Sequence, residues 1–293
     1  MPILQPAVAP LPTGIDLKGQ VAIVTGGNAG IGFESVRQLL VLNASTVVIA
    51  ARSVSKAEEA RKKLLADPAV QKHNPSGEIK IMKLDLDSYE SVLEFAEAVR
   101  KEFRELHILL ANAGIGILSY HVSASGHERN TQVNYLSNVL LTLELLPLLE
   151  ATAEKTGSPS RLSWVGSRFH MKSNFAGKSP LKPGIGILEH LNDRSKFSGF
   201  TRYPDTKLLC ALFLQDIAKK VSKEKVIINT MCPGMVNTDM SDVLPVYLRI
   251  PMNLIKKLRA RSPEEAGWIV VDALVVAGPD SHGGFIGDKT LLP

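Results

Sequence analysis

Val21-Ala22-Ile23-Val24 is a short apolar run without polar alternation, which suits a strand buried on both faces. It leads into Thr25-Gly26-Gly27-Asn28-Ala29-Gly30-Ile31-Gly32, and then into a helical pattern through Phe33, Val36, Leu39 and Leu40. Strand, glycine turn and helix in this order is the context a dinucleotide-binding loop requires. Gly26 permits the tight turn, Gly30 lets backbone approach a pyrophosphate, and Gly32 lets the helix pack close to the strand. The helix N-terminus then offers unpaired N–H groups and the positive end of its dipole to phosphate.

Similar units follow. Thr46 to Ala51 reads as a second strand, with a helix from about Val54 to Ala66 behind it. Ile79 to Leu84 is a third strand, with an amphipathic helix from Val92 to Phe103, and Leu106 to Ala111 is a fourth. A long helix from about His127 to Glu150 precedes strand five, Arg161 to Val165, and Val226 to Asn229 is strand six. Phe285-Ile286 is a candidate last strand. Repeated βα units with right-handed crossovers predict an α/β doubly wound parallel sheet, a Rossmann fold with helices on both faces. Residues 19–293 are expected to form one domain, with substrate-side insertions at about 168–201 and 239–261, behind a flexible Pro-rich arm over 1–18.

The composition agrees and narrows the function. With 45% hydrophobic and 22% charged residues, the chain suits a globular protein with a sizeable core. The net charge of +5 is scattered among acids, so no nucleic-acid footprint is expected. The two cysteines, Cys210 and Cys232, sit in apolar contexts without metal-ligand spacing, so no metal site is expected. No stretch reaches the roughly 18 apolar residues of a membrane span, and Met1 to Pro12 lacks the features of a signal peptide. A cytoplasmic location is expected.

Candidate site residues lie at strand ends. The second strand carries no acid at its end for a ribose 2′-OH; Ala50 and Ala51 lead to Arg52. A guanidinium there would pair with a 2′-phosphate, favouring NADP(H), or it simply opens the next helix at the surface. Asp85 could accept from an adenine amino group, or act as a helix cap. Asn134 lies among apolar neighbours in the long helix and needs partners. Ser167 falls just past strand five, on the ligand side of such a sheet.

The irregular 168–201 stretch reads as a lid or a substrate wall. It contains His170, either a structural histidine or a group lining the substrate region. Tyr203 and Lys207 share one helix face, and a fixed ammonium beside a phenol stabilises the phenolate, giving an acid/base usable near neutral pH. Pro204 is expected in the first turn of that helix, where its missing N–H costs nothing. Met240 to Leu258 reads as an apolar flap over the site or as an amphipathic helix packed on the body. Ser262-Pro263-Glu264-Glu265 reads as an N-cap with Pro at N1.

Together, Thr25 to Gly32, Asn112-Ala113-Gly114, Asn134, Ser167, Tyr203-x-x-x-Lys207 and Pro233-Gly234 resemble the short-chain dehydrogenase/reductase family from about Gly19 to Asp288. The run Arg202 to Leu209 and the long gap before Tyr203 look most like retinol-dehydrogenase-type members and fungal secondary-metabolism reductases. The resemblance implies seven parallel strands, often in a homodimer or homotetramer. It implies that Tyr203 is the general acid/base, that Lys207 lowers its pKa and holds the nicotinamide ribose, and that Ser167 orients the substrate oxygen. Asn134 would bend its helix and hold a water that relays protons.

It also implies cofactor contacts from Asn28, Ala29, Ile31, Leu86, Asn112, Ala113, Gly114, Pro233, Gly234, Val236 and Thr238. His170 and Met240 would border a fairly apolar small-molecule substrate. The implied reaction interconverts a carbonyl and an alcohol with NADP(H). C=C reduction, isomerisation or cyclisation on the same scaffold, or a non-catalytic nucleotide sensor, are the alternatives. Two departures from the pattern stand out: Gly166, where relatives often have a second serine, and Pro204 directly after the tyrosine.

Overall fold

The computed structural model describes residues 5–175, 181, 184–237 and 246–292. Its strands are β1 (Val21–Thr25), β2 (Thr46–Ala51), β3 (Glu78–Lys83), β4 (Ile108–Ala111), β5 (Ser160–Val165), β6 (Val226–Cys232), β7 (Phe285–Gly287) and β8 (Thr290–Leu292). They lie in the order β3-β2-β1-β4-β5-β6-β7-β8. Every neighbouring pair through β7 is parallel, while β8 runs antiparallel to β7.

The expectation of seven parallel strands therefore needs one addition. Asp288 and Lys289, both at positive φ (52° and 63°), turn the chain straight back into an antiparallel edge strand. A two-residue turn of this kind matches the twist of the flanking strands, and Asp is among the residues that adopt it most readily.

The apolar strands divide their side chains between two cores. Ile23, Val48, Leu109 and Leu162 face one layer, with Phe95, Leu141 and Leu214. Ala22, Val24, Ile49 and Leu110 face the other, with Val36, Leu39, Leu64 and Val270. Burial on both faces explains why the strands read as continuous apolar runs.

The helices are α1 (Gly30–Val41), α2 (Val54–Leu65), α3 (Pro68–His73), α4 (Tyr89–Glu102), α5 (Arg129–Thr156), α6 (Ile187–Asn192), α7 (Gly199–Ala218), α8 (Val246–Arg259) and α9 (Pro263–Val271). The short helix α3 is not legible as a periodic pattern. It is set by chemistry at its start: Asp67 accepts from the Ala69 and Val70 amides, with Pro68 at the first helical position. The N-cap expected at Ser262, with Pro263 at N1, is formed, and Glu265 completes a capping box with it.

Helix α5 is the one described helix long and apolar enough to cross a membrane, but half of its apolar window is buried inside the fold. It packs against α4, α7 and β5. Between Ser167 and Tyr203 the described chain forms a 3₁₀ turn, Arg168–Lys172, then α6 and a second 3₁₀ turn, Arg194–Lys196. Its later part is anchored, because Asn192 O accepts from the Tyr120 hydroxyl at 2.6 Å and Asn192 Oδ1 accepts from the Glu128 amide at 2.9 Å.

The arm expected to be flexible has neither helix nor strand over residues 5–18, yet it is tethered. Leu17 is buried in the core and Gln5 bonds to backbone far along the chain.

Candidate active site

The glycine loop is shaped by close approach. Gly26 has φ +66°, in the left-handed region that disfavours any residue with a Cβ. A Cβ on Gly32 would lie 2.3 Å from Gly26 O and 2.5 Å from Asn112 Nδ2. Ala29 at the N-cap of α1 supplies no side-chain cap, and no acid occupies the first turn. The amides of that turn are therefore left to an external acceptor, as an anion-binding helix end requires. Asn112 steadies the loop by donating from Nδ2 to Thr25 O at 2.8 Å. Thr25 Oγ1 in turn accepts from the Asn112 and Ala113 amides at 3.0 and 2.9 Å. Thr25 is the contributor that the glycine pattern alone does not single out.

Arg52 is exposed directly after β2, followed by Ser53, which caps α2. A second cation was not singled out from the sequence: Lys83 ends β3 in register with Ala51, so two basic residues stand at adjacent strand ends. Asp85 is not the helix cap, because Ser88 accepts from the Ser91 amide at the start of α4. One Asp85 carboxyl oxygen accepts from the Asp87 amide at 3.0 Å, and Leu86 beside it is buried.

The second half of the site is built across α5 and α7. Asn134 lies in a π-helical turn, Gln132–Leu136, which opens the helix locally. Its side chain is 2% exposed and fully engaged. Oδ1 accepts from the Ile115 amide at 2.7 Å, while Nδ2 donates to Ile115 O at 2.9 Å and to Thr206 Oγ1 at 3.1 Å. Cys210 Sγ donates to Asn134 O at 3.3 Å, and burial pushes its thiol up to about 11, so it stays protonated.

Lys207 Nζ donates to Val165 O at 2.7 Å and lies 5.6 Å from the Tyr203 ring centroid. A Cβ on Gly114 would meet Asn134 Oδ1 at 3.1 Å and Lys207 Nζ at 3.7 Å, and one on Gly116 would meet the Tyr203 ring at 3.8 Å. Asn134, Lys207 and Tyr203 thus converge on the Gly114–Gly116 loop.

Ser167 lies two residues past the end of β5 and caps the 3₁₀ turn, its Oγ accepting from the Phe169 amide at 3.2 Å. That bond leaves the hydroxyl proton free to donate. His170 is placed beside it: Nδ1 lies 2.8 Å from Ser167 O, and the ring meets Phe285 edge-on at 4.7 Å. The 3₁₀ turn packs against α7, which carries Tyr203. Gly166 has a steric cause, because a Cβ there would lie 2.5 Å from Thr230 Oγ1 and 3.2 Å from Met231 O.

The expected position of Pro204 is corrected. Helix α7 begins at Gly199, after Ser198, so Pro204 lies beyond the first turn. The carbonyl that loses its donor belongs to Phe200, four residues earlier, which is 71% exposed at the open end of the helix. Two buried polar contacts hold the Tyr203 turn from either side. Arg202, 1% exposed, pairs with the fully buried Glu128 at 3.2 Å. Asp205 accepts from Ser173 Oγ at 2.7 Å and from the Asn174 amide at 3.0 Å. Burial raises the Asp205 carboxyl above its ordinary value, opposed by these two bonds and by the Arg202 charge.

Pro233 and Gly234 follow β6, Gly234 with φ +83°, and Val236 is buried and bridged in parallel to Arg261. Thr238 and Met240 lie outside the described residues. Among the described residues no group of His, Cys, Asp and Glu could hold a metal ion.

A parallel sheet with a glycine loop after β1, and an asparagine, a lysine and a tyrosine from two helices converging on the loop after β4, suits a nucleotide-binding α/β protein. Residues 20–158 match the family model for short chain dehydrogenases. Short chain dehydrogenase macD of Penicillium terrestre is 53% identical over 99% of this chain and 88% of its own length. Short chain dehydrogenase yanD of Aspergillus niger is 54% identical over 98% and 87%. The chain belongs to the short-chain dehydrogenase family.

Solved structures agree in fold. A Pseudomonas aeruginosa RhlG/NADP active-site complex superposes with a TM-score of 0.67 at 24% identity, covering 93% of this chain and 96% of that one. A 3-oxoacyl (acyl-carrier-protein) reductase from Agrobacterium tumefaciens C58 with NADP bound gives 0.69 at 20% identity, covering 93% and 94%.

Proposed function

We propose that the protein is an NADP(H)-dependent reductase or dehydrogenase interconverting a carbonyl and an alcohol on a fairly apolar small molecule of secondary-metabolite, steroid or isoprenoid type. The observation that carries this reading is the convergence of Tyr203, Lys207 and Asn134 on one loop, with the free hydroxyl proton of Ser167 on the adjoining turn.

The residues present fit the cofactor. The uncapped amides of α1 would take the pyrophosphate, Asn112 to Gly114 would border the adenosine side, and Arg52 with Lys83 would meet a 2′-phosphate. Lys207 would reach the nicotinamide ribose. Bound there, the nicotinamide supplies or accepts the hydride.

The chain's own groups handle charge and protons. In reduction, negative charge grows on the carbonyl oxygen; Ser167 Oγ–H donates to it, and Tyr203 Oη–H donates and then transfers its proton. One such aimed donor is worth about 3 kcal/mol of barrier, and general-acid assistance roughly 10²–10⁴-fold. Lys207 stabilises the phenolate left behind, and Asn134 fixes the loop against which these groups sit. Solved structures of the same fold that hold NADP support the cofactor, as does the absence of an acid at the end of β2.

The test is NADPH oxidation with a panel of apolar ketones and aldehydes by the wild type and by Tyr203→Phe. The variant should lose turnover at least 10²-fold while binding NADPH normally. Full activity of the variant would sink the mechanism.

A further inference from the structure

The loop after β6 is fastened by a side chain from the far N-terminus. Gln5 Nε2 donates to Met235 O at 2.9 Å and to Arg259 O at 2.7 Å, while Gln5 Oε1 accepts from the Met235 amide at 2.8 Å. A single amide thus engages both backbone groups of Met235. It also reaches a carbonyl at the C-terminal end of α8, which has no partner within its own helix.

Arg261 works from the other side and is 4% exposed. It donates to Pro233 O at 3.2 Å and to Pro6 O at 2.8 Å, and it pairs with Asp288 at 2.6 Å. Asp288 also holds Arg168 at 2.7 Å, the residue immediately after Ser167. Gly234 is shaped for this contact, since a Cβ there would lie 2.1 Å from Gln5 Oε1 and 2.6 Å from Arg261 Nη1. The glycine is required by the arm as well as by its own φ.

We propose that Gln5 is a positioning residue: with Arg261 it clasps the Pro233–Val236 loop to the end of α8, so the N-terminal arm sets the geometry of the loop that would face the nicotinamide. The inference rests on the reading of that loop as part of the cofactor site. Gln5 touches neither cofactor nor substrate in this reading and acts only through Met235 and Gly234. Its acceptor and donor ends are both needed, which distinguishes the clasp from simple filling of space. A glutamate of the same size would still accept from the Met235 amide, but would press a carboxylate oxygen against two carbonyls.

Gln5→Ala and Gln5→Glu in the full chain test it with two readouts, after thermal melts show that both variants fold. Backbone hydrogen exchange over 234–237 and 259–261 should quicken by about 10-fold in both variants, with the β1 to β4 strands unchanged. The Kd for NADPH should rise by about 3- to 10-fold, with KM for NADPH following it and kcat within about twofold. Unchanged exchange in Gln5→Ala, or full rescue by Gln5→Glu, overturns the clasp. Faster exchange with unchanged NADPH affinity overturns the positioning role. Failure of the wild type to bind NADPH would sink the cofactor reading alone, because the exchange comparison still decides whether the arm orders the loop.

Discussion

Asn134 grips the backbone of Ile115 from both ends, accepting from its amide at 2.7 Å and donating to its carbonyl at 2.9 Å. The π turn in α5 brings Asn134 to that loop, and Thr206 Oγ1, one residue before Lys207, takes its remaining proton. One buried amide therefore joins the loop after β4 to the helix that carries Tyr203 and Lys207.

Asn134→Ala should cost both stability and activity. It leaves the Ile115 N–H and C=O without partners, worth about 1–3 kcal/mol of stability, while misplacement of the loop should lower kcat about 10²-fold. Asn134→Asp keeps the acceptor but loses the donor, and should fall between. Steady-state kinetics beside urea unfolding separates the two effects.

Gly32→Ala places a methyl where Gly26 O already lies 2.3 Å away. Relieving that clash should distort the loop at about 1–3 kcal/mol, which is roughly 5- to 150-fold in NADPH affinity. A fluorescence titration reads it directly, and binding at wild-type strength would argue that this loop does not hold the phosphates.

Arg52→Ala should weaken NADPH about 10-fold or more and leave NADH within about twofold, because only the 2′-phosphate loses a charge-assisted partner. Adding Lys83→Ala should weaken NADPH further. Equal losses for both cofactors would show that these cations do not read the 2′ position.

The Arg202–Glu128 pair is buried on both sides, so breaking it from one side should be costly. Arg202→Met strands the Glu128 charge and should destabilise the protein by about 3–5 kcal/mol. Restoring neutrality with Glu128→Gln should return part of that loss. Glu128 also accepts from Asn130 and Thr131, so recovery should remain incomplete. Denaturant unfolding of the two single variants and the double variant gives the coupling.

Asp67 sets an acid-side dependence of stability. Partial burial pushes its carboxyl up, but the Arg37 guanidinium at 2.9 Å and the Val70 and Ala69 amides outweigh it and hold it below the ordinary value. A carboxyl depressed in the folded state adds stability above its unfolded pKa, about 3.9, and loses it as pH falls through the lower folded value. Asp67→Asn should therefore lower the melting temperature at pH 7 and converge with the wild type only once pH falls below the depressed folded value. A constant difference across that range would assign the effect to the helix cap alone.

Strands and glycine loop were legible because two-sided burial writes itself as apolar runs, and because phosphate-type turns demand glycine at fixed offsets. Thr46 to Ala51 falls on the expected residues, and α1 starts inside the loop. The Tyr203–Lys207 pair was legible as a spacing, but what holds it was not. Arg202 finds Glu128 across 74 residues of chain and Asp205 finds Ser173 across 32, and no local pattern announces such partners. The Pro204 reading failed because α7 gains a turn, from Gly199, that carries no apolar periodicity. Gln5 was illegible for the same reason as Glu128: its contacts are to distant backbone, which has no side-chain identity to read.

The antiparallel β8 has a consequence for how the molecule behaves in a crowded solution. An open sheet ends in two rows of backbone groups that could recruit another molecule. On one side the strip that could do so is only three residues long, Thr290–Leu292. On the other, β3 carries Glu78, Lys80 and Lys83, and Lys80 is held by Glu102 from α4. A neighbour pairing there would have to bury those charges. Both borders of the sheet thus discourage self-association into fibres while the ligand-facing strand ends stay open.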